Sequence, residues 1–227
     1  SVFLMFIAVL IFFKEPRRES SQQGASLAQV VRNLLTVLGN GRFVLFLIIF
    51  SGYWIVFWQQ YLMLPIFVHD YVDAGANTEL ILITDPLIVI TLTVAVNALT
   101  RKIPAFRAIT LGTLITAVGW LVIGARPSVW AAVVTLAIVA FGEIIQSPRY
   151  YEYISRLAPP GQQGTYMGFA FLPIGIGSLL GGWIAGKLLH HFGEVKHQPE
   201  IMWWIVTAIG VLTAIALWIY DKTISPR

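Results

Sequence analysis

The chain has 227 residues, 57% of them hydrophobic and 11% charged, with a mean hydropathy of +0.77 and a formal net charge of +4. Soluble globular domains carry about 25% charged residues, so a water-exposed single domain is excluded, as are a disordered chain and a nucleic-acid binder. The sequence holds no cysteine, which removes disulfides, thiolate metal sites and cysteine nucleophiles. An integral membrane protein remains, and eight Trp and eight Tyr suit interfacial anchors or an aromatic pocket.

Residues 1–13 form an apolar run, but a spanning helix takes about 20 apolar residues. The run lacks the basic flank and small-residue cleavage site of a signal peptide. The expectation is the end of a transmembrane helix that begins upstream. Residues 14–42 read as a linker containing a short amphipathic helix over 26–38. Leu27, Val30, Val31, Leu34, Leu35 and Leu38 fall on one face of it, and Gln29, Arg32, Asn33 and Thr36 on the other.

Six long apolar stretches follow, at roughly 43–68, 79–99, 107–125, 128–150, 165–189 and 201–220. They predict an all-α, six-helix transmembrane bundle over 43–220 with a tail at 221–227. The breaks at 70–78, 101–104, 126–128, 158–164 and 190–200 are polar or contain Pro or Gly, as turns require. If the linker and tail are cytoplasmic, Lys and Arg accumulate on that side at every loop, leaving Arg126, Lys187 and Lys196 outside. The pattern predicts a multi-pass protein of the cell membrane.

Charges inside spans cost roughly 2.5–3.5 kcal/mol on insertion scales and mark function. Glu143 lies about fifteen residues, or roughly 22 Å, from the outer end of its helix. Gln146 and Tyr150 follow at helical spacing on one expected face. A carboxyl there can carry a proton or bind a substrate ammonium; the plainer alternative is a Glu that snorkels or pairs with a basic residue elsewhere. Asp85, between Thr84 and Pro86, lies one to two turns inside the outer end of its helix and either functions or reaches water.

The 43–68 stretch holds Tyr53, Trp54, Phe57, Trp58, Gln59, Gln60 and Tyr61. An amide facing lipid would be unsatisfied, so at least one of Gln59 and Gln60 should face a polar cavity or a neighbouring helix. The aromatic face lines a pocket or packs between helices. In the 165–189 stretch, Gly164–Gly168, Gly177–Gly181 and Gly182–Gly186 are small-xxx-small pairs that allow close helix approach, and Pro173 predicts a kink. Gly168, Pro173, Gly177 and Gly181 are therefore candidates for packing or gating. His190, His191 and His197 beside Glu194 lack the spacing of a known metal motif, so no metal is expected. No nucleophile–base pair and no phosphate-cradling loop is found, so neither an enzyme nor a cofactor is expected.

The run Gly142-Glu143-Ile144-Ile145-Gln146-Ser147-Pro148, then Ser155-Arg156-Leu157-Ala158-Pro159, Met167-Gly168 and Ile174-Gly175-Ile176-Gly177, resembles helices ten and eleven of the proton-dependent oligopeptide transporter family of the major facilitator superfamily. Phe57-Trp58 and Asp85-Pro86 fit the family more loosely. The resemblance implies that the chain is the end of helix six, the central linker and helices seven to twelve of a twelve-helix fold. It also implies that Glu143 contacts the substrate amino group and takes part in proton coupling, and that Asp85 stands at a peptide-contacting position where the family usually has Asn. The chain departs from the family in lacking an acid after Phe57-Trp58 and in having Ala170 where a Trp is usual.

The resulting expectation is one half of an alternating-access transporter whose partner is a preceding six-helix half. Protons and a peptide or related organic solute would be its cargo, met by Glu143, Asp85, Gln146, Tyr150, Trp58, Gln60 and Tyr53. Drug efflux or uptake of a non-peptide solute on the same fold is the alternative, ahead of a non-transporting receptor or a membrane-embedded enzyme.

Overall fold

The computed structural model describes residues 35–224, together with Phe6 and Arg32. The helix end expected at 1–13 and most of the linker with its amphipathic helix lie outside the described residues, as does the end of the tail; residues 35–39 are helical. Among the described residues, six helical spans are long and apolar enough to cross a membrane.

Three of the six are interrupted. The first comprises α1 (Gly41–Phe57), α2 (Gln59–Leu62) and α3 (Leu64–Tyr71), the second α4 (Thr78–Leu82) and α5 (Thr84–Thr100). The third and fourth are the unbroken α6 (Ala105–Ala125) and α7 (Val129–Leu157). The fifth comprises α8 (Gln163–Phe169), α9 (Leu172–Leu188) and a π-helical turn, Leu189–Val195; the last is α10 (Ile201–Thr223).

Proline accompanies the breaks at Met63, Ile83 and Ala170–Phe171, while the one at Trp58 has no proline beside it. Proline has no N–H to give to the preceding turn, so it is tolerated at the start of a helical segment. Pro65 and Pro173 stand at the second positions of α3 and α9, and Pro86 lies in the first turn of α5. Pro148 is the exception: α7 runs through it and continues beyond the expected end at 150 to Leu157. An ion-pair ladder supports this extension, with Glu152 bound to Arg149 at 2.7 Å and to Arg156 at 2.6 Å, at helical spacing. The loop expected at 190–200 is also partly helical, because His190 bonds Glu194 at 2.7 Å across one turn of the π segment.

Helix starts are set locally. Asn40, Asn77 and Ser128 each accept a backbone N–H three residues ahead through their side-chain oxygens, at 3.1–3.2 Å. Gly161, at φ 80°, makes the turn between α7 and α8, a conformation that costs glycine little.

Neighbouring helices run in the order α9, α1, α10, α6, α7, α5. At one end, Trp120 of α6 stacks on Trp203 of α10 at 4.9 Å. At the other, Phe46, Phe50, Phe106, Tyr150 and Tyr220 form an aromatic core, with Phe50 and Tyr150 stacked at 4.2 Å. Backbone approach is closest where glycines remove side chains: a Cβ at Gly142 would lie 2.6 Å from the Gly112 carbonyl, and one at Gly177 would lie 2.3 Å from the Trp54 Cβ.

Candidate functional site

A cleft of about 430 Å³ opens between the first span and helices α5 and α7. Trp54, Phe57, Trp58 and Tyr61 form one wall; Asp85, Pro86 and Val89 of α5 and Glu143 of α7 form the other. The breaks in the helices shape the site. Trp58 lies at the α1–α2 junction and Asp85 in the first turn of α5, just past the interruption at Ile83.

The aromatic wall is a connected set of rings. Trp54 meets Phe57 edge-on at 5.2 Å, and Trp58 lies 5.7 Å from Tyr61 and 6.4 Å from Trp54. Two acids thus face four aromatic rings, and among the described residues no Lys or Arg lines the cleft. Asp85 is buried and its Oδ1 has no hydrogen-bond partner among the described residues. A buried carboxylate left unpaired is costly, so this atom requires a proton, water or a bound cation.

Of the seven residues singled out in the sequence for substrate or proton, the fold brings Glu143, Asp85 and Trp58 to this cleft. The other four do not line it. Gln146 is buried because α6 crosses over it: a Cβ at Gly112 would lie 2.6 Å from the Gln146 Cβ. Tyr150 is buried, and its hydroxyl donates to the Ala170 carbonyl at 2.8 Å. Tyr53 is buried between Phe50 and Phe57, stacked at 5.3 Å and 5.7 Å. Gln60 is fully buried, with both amide atoms unpartnered among the described residues. Its neighbour Gln59 donates to the carbonyls of Ile55 (2.8 Å) and Gly181 (3.2 Å). The cleft also uses Trp54, Phe57 and Tyr61, which the aromatic run offered as one face, and Pro86 and Val89, which carried no chemical signal.

The packing candidates divide similarly. Gly177 and Gly181 lie against α1, facing Trp54, Ile55 and the Gln59 amide. Gly164, Gly168, Gly182 and Gly186 have open space where a Cβ would stand, so the close approach expected at those pairs is not formed among the described residues. Pro173 is buried and begins α9 instead of kinking a continuous helix. Among the described residues no group of three His, Cys, Asp or Glu is placed to hold a metal ion.

Six spans with acids and aromatics in a cleft between them define a multi-pass helical membrane bundle. Residues 1–172 and 86–227 match, in two overlapping stretches, the family described as Major Facilitator Superfamily. The chain belongs to that superfamily and is a multi-pass membrane protein.

Its relatives include the multidrug resistance protein MdtH of Enterobacter sp. (strain 638), 30% identical over 194 residues, covering 84% of this chain and 48% of that protein. MdtH of Klebsiella pneumoniae subsp. pneumoniae is 31% identical over 185 residues, covering 80% and 45%. The chain spans about half the length of the curated relatives it matches. Solved structures share the fold. A POT family transporter in complex with 5-aminolevulinic acid aligns with a TM-score of 0.72 and 14% identity, over 99% of this chain and 52% of that one. The POT family transporter PepTSo aligns with a TM-score of 0.65 and 21% identity, over 89% and 44%.

Proposed function

We propose that this bundle forms part of a proton-coupled secondary transporter that moves organic solutes bearing a positive charge and an apolar or aromatic body, by alternating access. The observation that carries the reading is the pairing of Asp85 and Glu143 with a wall of four aromatic rings in one cleft, with no basic residue among its described lining. A cation over an aromatic face gains about 0.5–2 kcal/mol, and a carboxylate in a desolvated site supplies the rest of the attraction. Such a cleft favours an organic cation over an anion.

The same acids supply the coupling. Glu143 either holds a proton or faces a cation; the two compete for one negative charge. Protonation therefore weakens cation binding, and cation binding displaces the proton, so the occupant decides which arrangement of the helices is favoured. The names of the relatives, multidrug resistance proteins, support a drug-like cargo and export. The proposed orientation places the α5–α6 loop, the α7 C-terminus and the chain's tail in the cytoplasm, following the basic residues.

Peptide uptake is the second reading, favoured by the fold shared with POT family structures and by the capacity of a carboxylate to bind an amino group. Proteoliposomes of the full-length protein separate the two. Ethidium flux driven by a proton gradient and unaffected by excess dialanine supports organic-cation transport. Gradient-driven dialanine flux, blocked by other dipeptides, supports peptide transport. Saturable ethidium binding without flux of either probe would mean a receptor.

A further inference from the structure

Glu143 lines a second cleft of about 220 Å³, which runs along the α5–α7 seam away from the aromatic wall. Its other lining residues are Val89, Thr93, Asn97, Ile144, Ser147 and Pro148. Thr93 and Asn97 are one turn apart on α5, and Ser147 is one turn beyond Glu143 on α7, so both helices present polar groups leading in the same direction. Pro148 adds another: lacking an N–H, it leaves the Ile144 carbonyl without its usual donor. The Thr93 hydroxyl is back-bonded to the Val89 carbonyl but keeps its acceptor capacity. Just past the last lining residues, Asn97 and Pro148, Arg149 meets the Thr100 carbonyl at 3.4 Å and Glu152 at 2.7 Å.

We propose that this seam is a proton route, separate from the solute cleft, connecting Glu143 with the end of the bundle that carries Thr100 and Arg149. The inference rests on Glu143 being the coupling acid. The seam has room for several waters at about 30 Å³ each, and its hydroxyls, its amide and the Ile144 carbonyl supply the partners that ordered water needs. The Glu143 O–H bond breaks as the proton passes to the adjacent water, and successive transfers along the file deliver one proton to the water at the far end. The seam has about half the volume of the solute cleft, which suits water better than a solute large enough to span the aromatic wall. The titratable groups that interact with Glu143 are Asp85 of α5, Tyr53 of α1, Tyr61 of α2 and Tyr151 of α7. Arg149, already paired with Glu152, is the cation at the seam's end.

The test uses the full-length protein in proteoliposomes with ethidium as probe. Asn97→Leu combined with Ser147→Ala should slow gradient-driven ethidium flux about tenfold or more, the scale of an impaired proton relay, while ethidium exchange without a gradient stays within about twofold. Asn97→Ser should restore the driven flux. If the double variant drives ethidium at the native rate while Glu143→Gln does not, the route is wrong and the coupling acid stands. If Glu143→Gln also drives it at the native rate, both fall. A second measurement does not depend on the double variant folding, and uses the absence of cysteine from these residues. Ser147→Cys and Asn97→Cys should react with a charged, membrane-impermeant thiol reagent applied from the Thr100 side, whereas Leu212→Cys on the exposed face of α10 should not. Protection of both seam positions from the reagent would overturn the proposal.

Discussion

The Tyr150 hydroxyl donates a 2.8 Å hydrogen bond to the Ala170 carbonyl, which lies in the break between α8 and α9. Ile174 and Gly175 both donate to Phe171, so the Ala170 oxygen is passed over by the helix that follows. In an apolar surrounding a carbonyl without a donor is costly. Tyr150 therefore ties α7 to the break, a contact from which a structural role in place of substrate binding is predicted. Tyr150→Phe should lower stability by about 1–3 kcal/mol, the cost of one unsatisfied buried group, with ethidium affinity unchanged. Thermal unfolding with and without ethidium checks both parts.

Gly177 determines how closely α9 approaches α1. A side chain there would overlap Trp54, and the nearest atoms include the Trp54 backbone, which cannot rotate away. Gly177→Leu should separate the two helices, with a loss at or above the 1–3 kcal/mol typical of overpacking. Gly168→Ala, where a Cβ meets nothing within 4 Å, should change the melting temperature little. A pair of melting curves in the same detergent distinguishes them.

Gln59 bonds α2 to α9 through Gly181 and satisfies the Ile55 carbonyl beside the break at Trp58. Gln59→Leu preserves volume but leaves the Gly181 carbonyl without this donor, and should cost about 1–2 kcal/mol. Gln59→Glu would bury a charge without a basic partner and should be worse. Expression level and unfolding temperature report the order.

The aromatic wall predicts selectivity. Trp54→Ala and Tyr61→Ala should each weaken ethidium binding about 5- to 30-fold, because each removes roughly 1–2 kcal/mol of cation–π and stacking attraction. Binding of a small aliphatic cation such as tetramethylammonium should fall less. Trp54 also packs under Gly177, so Tyr61→Ala is the cleaner variant. Equilibrium titration by fluorescence measures the ratio.

The spans were legible because hydropathy over about 20 residues reports burial in lipid directly. Pro173 was read as a kink and stands beside the break between α8 and α9, whereas the interruptions near Pro65 and Pro86 fall inside stretches that hydropathy alone reads as continuous. Pro148 has the same chemistry and interrupts nothing, since the Arg149–Glu152–Arg156 ladder carries α7 past it. The acids of the cleft were legible for the same reason as the spans: Asp85 and Glu143 are expensive where they stand.

Which polar residues share the cleft with them was not legible. Helical spacing places Glu143, Gln146 and Tyr150 on one face, but spacing says nothing about which neighbour crosses that face. The α6 backbone, brought close at Gly112, covers Gln146 and leaves Glu143 open. Gln59 and Gln60 illustrate the same limit: adjacent in sequence and both fully buried, one meets two carbonyls and the other none among the described residues.

The competition of proton and cation for Glu143 is tested most directly by proton release on binding. Ethidium added to the full-length protein in weakly buffered detergent solution, over a series of pH values, should release protons into the medium, and Glu143→Gln should abolish the release while still binding the dye. Equal proton release from the native protein and from Glu143→Gln, or binding by the native protein with no release at any pH, would contradict the account.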